Sequence, residues 1–500
     1  MRKRIFLPVL LLFCAVWQAA GQQTFTLEDC RRMALENNKQ MGIMSQKLLQ
    51  ATEERKAAFT KHLPSVSATG AYMFNSRKTS LIAHDMMLPI GSLAADGSFA
   101  FTPDQVNNGF TTVNGQPVPL DAAGQPFDPK TNPEKILWKQ YTTIPKDELT
   151  FDTRNVFAAA VTLSQPVYMG GKIQAYNRIA RYGETLAAAQ KDAAAAQVIL
   201  ATDEAYWGIV SLAHKKELAD SYLSLLEKLS QDVAAMKREG VATRSDELSV
   251  EVRLNEARMT QTRVQDGLVL AKMNLAMICG IPMESDFSLA DDVPQADRQD
   301  APLHIDMENA VDRRREIQSL SLAVDMYREK QHIVRSDYLP SLAVTGGYLY
   351  SSPNLFNGFS TSPKGMFNVG VMLRVPIFSW NERGHKMKVA KAETEIARLE
   401  LDEAREKVEL QINQSSFYLR SARKTADMSA SNLEKACENL RYAQLAYREG
   451  VSTLTQVFEA QTAWLSAHSQ DIDARIDLRM AGVYLRNATG ELYPGAQTEK

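Results

Sequence analysis

Histidine, cysteine, methionine and paired glycines are the residues of this chain that could hold a metal, a redox centre or a phosphate, and their spacing argues against each use. His62, His84, His214, His304, His332, His385 and His468 are scattered. They form no His-x-x-x-His pair and have no cysteine cluster beside them, which a zinc site would need. Gly170-Gly171 precedes a helical segment but lacks the further glycines and the Lys-Ser ending of a phosphate loop, so it reads as a strand-to-helix hinge. The 20 methionines, Met86-Met87 among them, could suggest copper handling, yet methionine is a common gap filler between helices. No nucleophile, base and orienting group converge in any motif. No catalytic, cofactor or metal residue is therefore assigned, and an enzyme is not expected. With 57 basic and 59 acidic side chains mixed throughout, no basic stripe for nucleic acid exists either.

The elements that remain belong to an exported chain. Met1-Arg2-Lys3-Arg4 is basic, an apolar run follows to Trp17, and Ala19-Ala20-Gly21 supplies small residues for cleavage, so residues 1–21 read as a signal peptide. The apolar run is too short to span a bilayer, and no later segment comes closer. Cys14 lies behind Phe13, where a lipid-anchor motif needs a small residue. Cys30, Cys279 and Cys437 are an odd, widely separated set, and no disulfide framework follows from them.

Self-similarity organises the rest. Leu63-Pro64-Ser65 recurs as Leu339-Pro340-Ser341, Gln165-Pro166-Val167-Tyr168 as Val375-Pro376-Ile377-Phe378, Arg238-Glu239-Gly240-Val241 as Arg448-Glu449-Gly450-Val451, and Gly280 as Gly490. The last three pairs share an offset of 210 positions, a register that chance similarity between helices would not keep. Two units result, 22–280 and 304–490, joined by an acidic, proline-containing linker at 281–303 and followed by a tail at 491–500. Each unit reads as helix, strand, strand, long helix, tight turn, shorter helix.

Strands are expected at 66–74, 156–165, 342–350 and 368–375, a length that crosses a membrane when tilted. Val369, Val371, Leu373 and Val375 alternate with Asn368, Gly370, Met372 and Arg374. A half-buried soluble strand has the same alternation, so this pattern alone does not choose. Helix length adds more. Residues 173–238 contain no proline and include the Ala-rich run 187–196, so one helix should reach about 100 Å. Its counterpart runs over 385–448. Shorter helices at 27–61 and 244–278 should each reach about 50 Å. Val250, Leu254, Ala257, Gln261, Val264, Leu268, Ala271, Leu275 and Ile278 follow coiled-coil spacing, as do Tyr222, Leu226, Leu229, Val233 and Met236, and Leu433, Ala436, Leu440, Ala443 and Tyr447. Long and short helices therefore pair as antiparallel hairpins that turn at Gly240 and Gly450, with Thr453 and Gln456 as a capping box.

Four strands per chain cannot close a membrane barrel, whose smallest members need about eight, so several copies must share one. Helices of about 100 Å do not fit in about 30 Å of hydrocarbon and must project into water. Thr26-Leu27-Glu28-Asp29-Cys30, Ala34-Leu35-Glu36-Asn37-Asn38, the Leu-Pro-Ser pair, Gln165-Pro166-Val167-Tyr168 with Gly170-Gly171, and the Glu-Gly-Val turns carry a resemblance over almost the whole chain: the sequence resembles the TolC-type outer-membrane efflux family. That resemblance implies a mainly α fold with transmembrane β structure, in which a homotrimer joins an α-helical tunnel in the periplasm to a twelve-stranded barrel in the outer-membrane lipid of a Gram-negative cell. It also implies an exit duct for small molecules or proteins that docks a periplasmic adaptor (membrane fusion protein) and an inner-membrane pump. A coiled-coil adaptor is the alternative, but an adaptor would carry one hairpin between β-rich domains rather than this duplication.

Site residues follow from the resemblance. The turns, with Gly240, Val241, Thr243, Gly450, Val451 and Thr453, should form the tunnel tip and the adaptor docking surface. Aligned on the turn glycines, Tyr447, Asp246, Gln456 and Glu459 fall at the family's constrictions, with Tyr447 expected to hydrogen-bond Asp246. The family's two acidic rings are reduced to Glu459, since Gln456 holds the other place. Three such carboxylates about 6 Å apart would repel by roughly 0.7 kcal/mol per pair in water and so attract cations. The sequence departs from the simplest family pattern at 75–155, a loop with eight of the 19 prolines, expected to lack long helices, to be functional or disordered, and to face the exterior.

Overall fold

The computed structural model describes residues 23–90, 92–93, 99–100, 103–294, 306–354 and 362–493. The expected signal peptide, residues 295–303 of the linker and most of the tail lie outside the described residues. In chain order the main elements are α1 (Leu27–Asn37), α2 (Lys39–Thr60), β1 (Ser65–Phe74), β2 (Asn155–Tyr168), α3 (Lys172–Arg238), α4 (Arg244–Cys279), α5 (Met307–Arg313), α6 (Arg315–Ser336), β3 (Ser341–Ser352), β4 (Lys364–Arg374), α7 (Glu382–Arg448) and α8 (Leu454–Ala488). They fall into two compact units that interleave along the chain, one helical (1–61, 170–339, 376–500) and one built on strands (62–169, 340–375).

In the helical unit, α3 and α7 each run for 67 residues without a break, about 100 Å. The expected seams close: Val250, Ala257 and Leu275 on α4 are buried, as are Leu226, Leu229 and Val233 on α3 and Leu440 and Tyr447 on α7. Gln261, the polar member of the α4 seam, donates to Asp220 Oδ1 across the hairpin at 2.6 Å. A buried ion pair ties α1 to α3, where Arg31 grips the fully buried Asp203 through Nε and Nη2 at 2.7 and 2.5 Å. Gly170 and Gly171 both have positive φ, which gives the expected hinge its turn into α3.

One expectation is corrected. Residues 27–61 do not form a single helix, because the backbone opens at Asn38 (ψ 132°) between α1 and α2. The Asn38 side chain accepts from Gln40 N at 2.8 Å to start α2 and donates to Ile278 O at 3.0 Å, satisfying a carbonyl at the end of α4. The second repeat does the same between α5 and α6. Arg314 (ψ 128°) donates through Nη1 to Asn487 O and Ala488 O at the end of α8. Asn38 to Arg314 and Pro64 to Pro340 are both 276 positions apart, so the break is a duplicated feature.

The strand unit is an antiparallel four-stranded sheet in the order β4-β3-β2-β1. The pairing runs Ser65↔Ser164 to Phe74↔Asn155, Phe157↔Ser352 to Tyr168↔Leu342, and Ser341↔Arg374 to Ser351↔Lys364. β2 and β3 extend past their expected bounds at both ends, β1 starts one residue early, and β4 starts early and ends one residue short. β1 and β4 are edges with no further strand beside them among the described residues, and every residue in both is exposed. The loop between β1 and β2 contains no α-helix among its described residues. It is built from short pairs, Met86–Pro89 with Tyr141–Ile144 and Phe110–Val113 with Gln116–Pro119, over buried Val106 and Phe127. Asn108 fixes it from inside by donating to Leu120 O and Lys135 O and accepting from Leu137 N at 2.6 Å.

Candidate functional site

The two hairpin tips are built alike. In the first, α3 ends when Gly240 takes φ 75°, Gly240 N bonds Lys237 O at 3.0 Å and Val241 N reaches back to Met236 O at 2.8 Å. This left-handed closure satisfies the last carbonyls of the helix without a Cβ penalty. Gly450 (φ 71°) repeats it, with Gly450 N on Tyr447 O and Val451 N on Ala446 O at 2.9 Å. The chain then enters the return helix through a capping box, formed by Thr243 with Asp246 in the first tip and Thr453 with Gln456 in the second. Val241 and Val451 stand 69% and 79% exposed, so each tip presents an apolar side chain to its surroundings.

Behind the tips, Tyr447 is buried among Leu226, Leu229, Val233, Val250, Leu454 and Val457. Burial pushes its hydroxyl above the ordinary value, and the nearby charges of Asp246 and Asp232 add to the effect. The four gate residues are only partly drawn together. Within this chain the Asp246 carboxylate is taken by Thr243, accepting from its N at 2.8 Å and its Oγ1 at 2.7 Å, and those bonds hold it below the usual carboxylate range. Gln456 is likewise used by its cap, accepting from Ser452 Oγ and Thr453 N. Glu459 is exposed on α8 with no ion pair among the described residues. A groove of about 500 Å³ opens between α3, α7 and α8, where Asp232, Tyr447, Arg448 and Val457 surround the buried Gln461.

Two apolar stripes were missed from the sequence because only one seam was followed on each helix. On α7, Val389, Ile396, Leu410 and Phe417 recur at multiples of seven and are all more than half exposed. On α4, Val252 and Met259 lie seven apart on the face turned away from the α3 seam, as do Leu270 and Met277. A heptad of exposed apolar residues is a coiled-coil surface without a partner among the described residues. Among the described residues no three His, Cys, Asp or Glu side chains converge, and no helix is long and apolar enough to cross a membrane.

Duplicated helical hairpins, open heptad stripes and a four-stranded sheet whose two edges have no further strand among the described residues are the features that define this fold. Residues 307–491 match the model described as outer membrane efflux protein. It is 26% identical over 272 residues to the protein CyaE of Bordetella pertussis, an alignment covering 53% of this chain and 56% of the relative. It is also 26% identical over 367 residues to the alkaline protease secretion protein AprF of Pseudomonas aeruginosa, covering 69% and 72%. The chain thus spans little more than half the length of the first of these relatives. Its fold is similar to that of CusC (TM-score 0.71, 13% identity, 95% of both chains) and of the Campylobacter jejuni CmeC outer membrane channel (TM-score 0.70, 16% identity, 95% of this chain and 87% of that one).

Proposed function

We propose that this protein is an outer-membrane exit duct, a passive conduit for small molecules or proteins leaving the periplasm. The observation that carries this reading is the sheet: its two outer strands have every residue exposed, neither edge has a further strand beside it among the described residues, and Phe367, Val369, Val371 and Leu373 of β4 are all more than 60% exposed. In water such a sheet would aggregate by its edges, whereas in lipid it must close, and three copies supply the twelve strands of a barrel. The α4 and α7 stripes differ in sequence, so contacts between copies are head-to-tail, the kind of interface that generates a ring. The helices occupy the periplasm, and the 75–155 loop, which joins the strand ends opposite the helices, faces outside. The tips with Val241 and Val451 dock an adaptor that brings an inner-membrane pump. Glu459 lines the narrow end as a ring of three carboxylates behind Tyr447.

Single-channel recording of the purified protein in planar bilayers tests this reading. Cation-selective conductance that loses selectivity in Glu459→Ala is expected. A chain recovered as a soluble periplasmic monomer, with no conductance, would sink the proposal.

A further inference from the structure

Cys30 and Cys279 are 249 positions apart in sequence, yet both are 1% exposed within one core cluster beside Tyr206, Trp207 and Phe287. The Cys279 thiol points at Cys30 and donates to its backbone oxygen at 3.6 Å. Adjacent contacts hold the two helix ends in place. Asn38 Nδ2 donates to Ile278 O at 3.0 Å, and Gly280 lies so close to Asn37 that a Cβ on the glycine would come within 2.6 Å of the Asn37 Cβ. All three described cysteines are free thiols in the structure, and the third, Cys437, is exposed on α7.

We propose that Cys30 and Cys279 form a disulfide that staples the start of α1 to the end of α4 once the chain has left the cytoplasm. The proposal rests on the exit-duct reading only for its compartment, since the periplasm supplies the oxidant. In the folded core the closeness of the two thiols raises the Cys30 pKa, with burial adding to it, and lowers that of Cys279. Before the core closes, one of the two thiols, here Cys279, loses its proton and attacks first. It displaces one thiol from a small-molecule or protein disulfide to give a mixed disulfide. The Cys30 thiol then loses its proton and attacks the Cys279 sulfur, releasing the second thiol, so one external disulfide becomes two thiols as one protein disulfide forms. Both sulfurs are sealed in the folded core, so the exchange takes place before α1 docks, and the product is shielded from reductants afterwards. The bond is a permanent staple, formed once.

The test uses the full-length protein, refolded from denaturant into mild detergent with oxidised glutathione, then denatured and labelled with a maleimide. The expected result is labelling of Cys437 alone and recovery of the Cys30 and Cys279 peptides as one cross-linked species, two hydrogen masses lighter than the sum. Labelling of all three cysteines after oxidation would overturn the proposal wherever the protein resides in the cell. Location is settled separately, by membrane fractionation. As a second measurement, a phosphine reductant applied to the unfolding protein should lower the thermal midpoint of the wild type but not of Cys30→Ser/Cys279→Ser. Equal midpoints for the wild type with and without reductant would also count against the staple.

Discussion

The helices α3 and α7 occupy the same place in the two repeats and have the same length of 67 residues, yet 17 residues of α3 are buried and only eight of α7. Helix propensity does not separate them, since neither contains a proline. The difference lies in neighbours. α3 packs against α1, α2, α4, α6 and α8, while α7 packs against α5, α6 and α8 and leaves its Val389, Ile396, Leu410 and Phe417 stripe uncovered. Duplication has therefore produced one helix that is largely covered within the chain and another that keeps an exposed apolar stripe, the face the proposed assembly would use.

The most severe way to break this comparison is to charge the open stripe. Leu410→Asp/Phe417→Asp should abolish assembly while each chain keeps its helical content, because the burden falls on contacts between copies; gel mobility without heating, read beside circular dichroism, checks both halves. Next comes the charge that α3 alone buries. Arg31→Ala leaves the Asp203 carboxylate unpaired at 0% exposure and should cost about 3–5 kcal/mol, read as a lowered denaturant midpoint. A pair of smaller changes then sharpens the contrast. Leu226→Ala on α3 empties a fully buried site and should cost about 2–5 kcal/mol, visible as lost hydrogen-exchange protection across α3 and α4. By comparison, Leu410→Ala should leave exchange within the chain unchanged and lower only the temperature at which the assembly dissociates.

The smallest expected effect separates the two tips. Asp246 is held below the usual carboxylate range by Thr243, and Glu247 by Lys237 and Arg244, whereas the second tip is capped by the neutral Gln456. A carboxylate with a depressed folded pKa stabilises above its unfolded value, about 4, and that contribution is lost as pH falls through the lower folded value. Amide exchange at 240–247 should therefore quicken, relative to 450–457, as pH drops below about 4. Equal quickening at both tips would remove the distinction.

Much of this was legible in the residues. Heptad spacing located the α3 and α4 seam, Gly240 and Gly450 marked both turns, and the Leu-Pro-Ser pair marked the strand starts to within a residue. The breaks at Asn38 and Arg314 were not legible, because each is stabilised by carbonyls at the ends of α4 and α8 that are remote in sequence. Thr243-x-x-Asp246 was readable as a capping box, yet Asp246 was read as a hydrogen-bond partner for Tyr447 instead. The α7 stripe obeys the same periodicity as the seams. It escaped notice because a helix with two apolar faces looks, along a sequence, like a helix with one broad face.

Native mass measurement of the protein extracted in mild detergent tests the central claim, that copies complete each other's helices and sheet. Three chains per particle is the predicted result. A stable single chain that retains its strand content would contradict it.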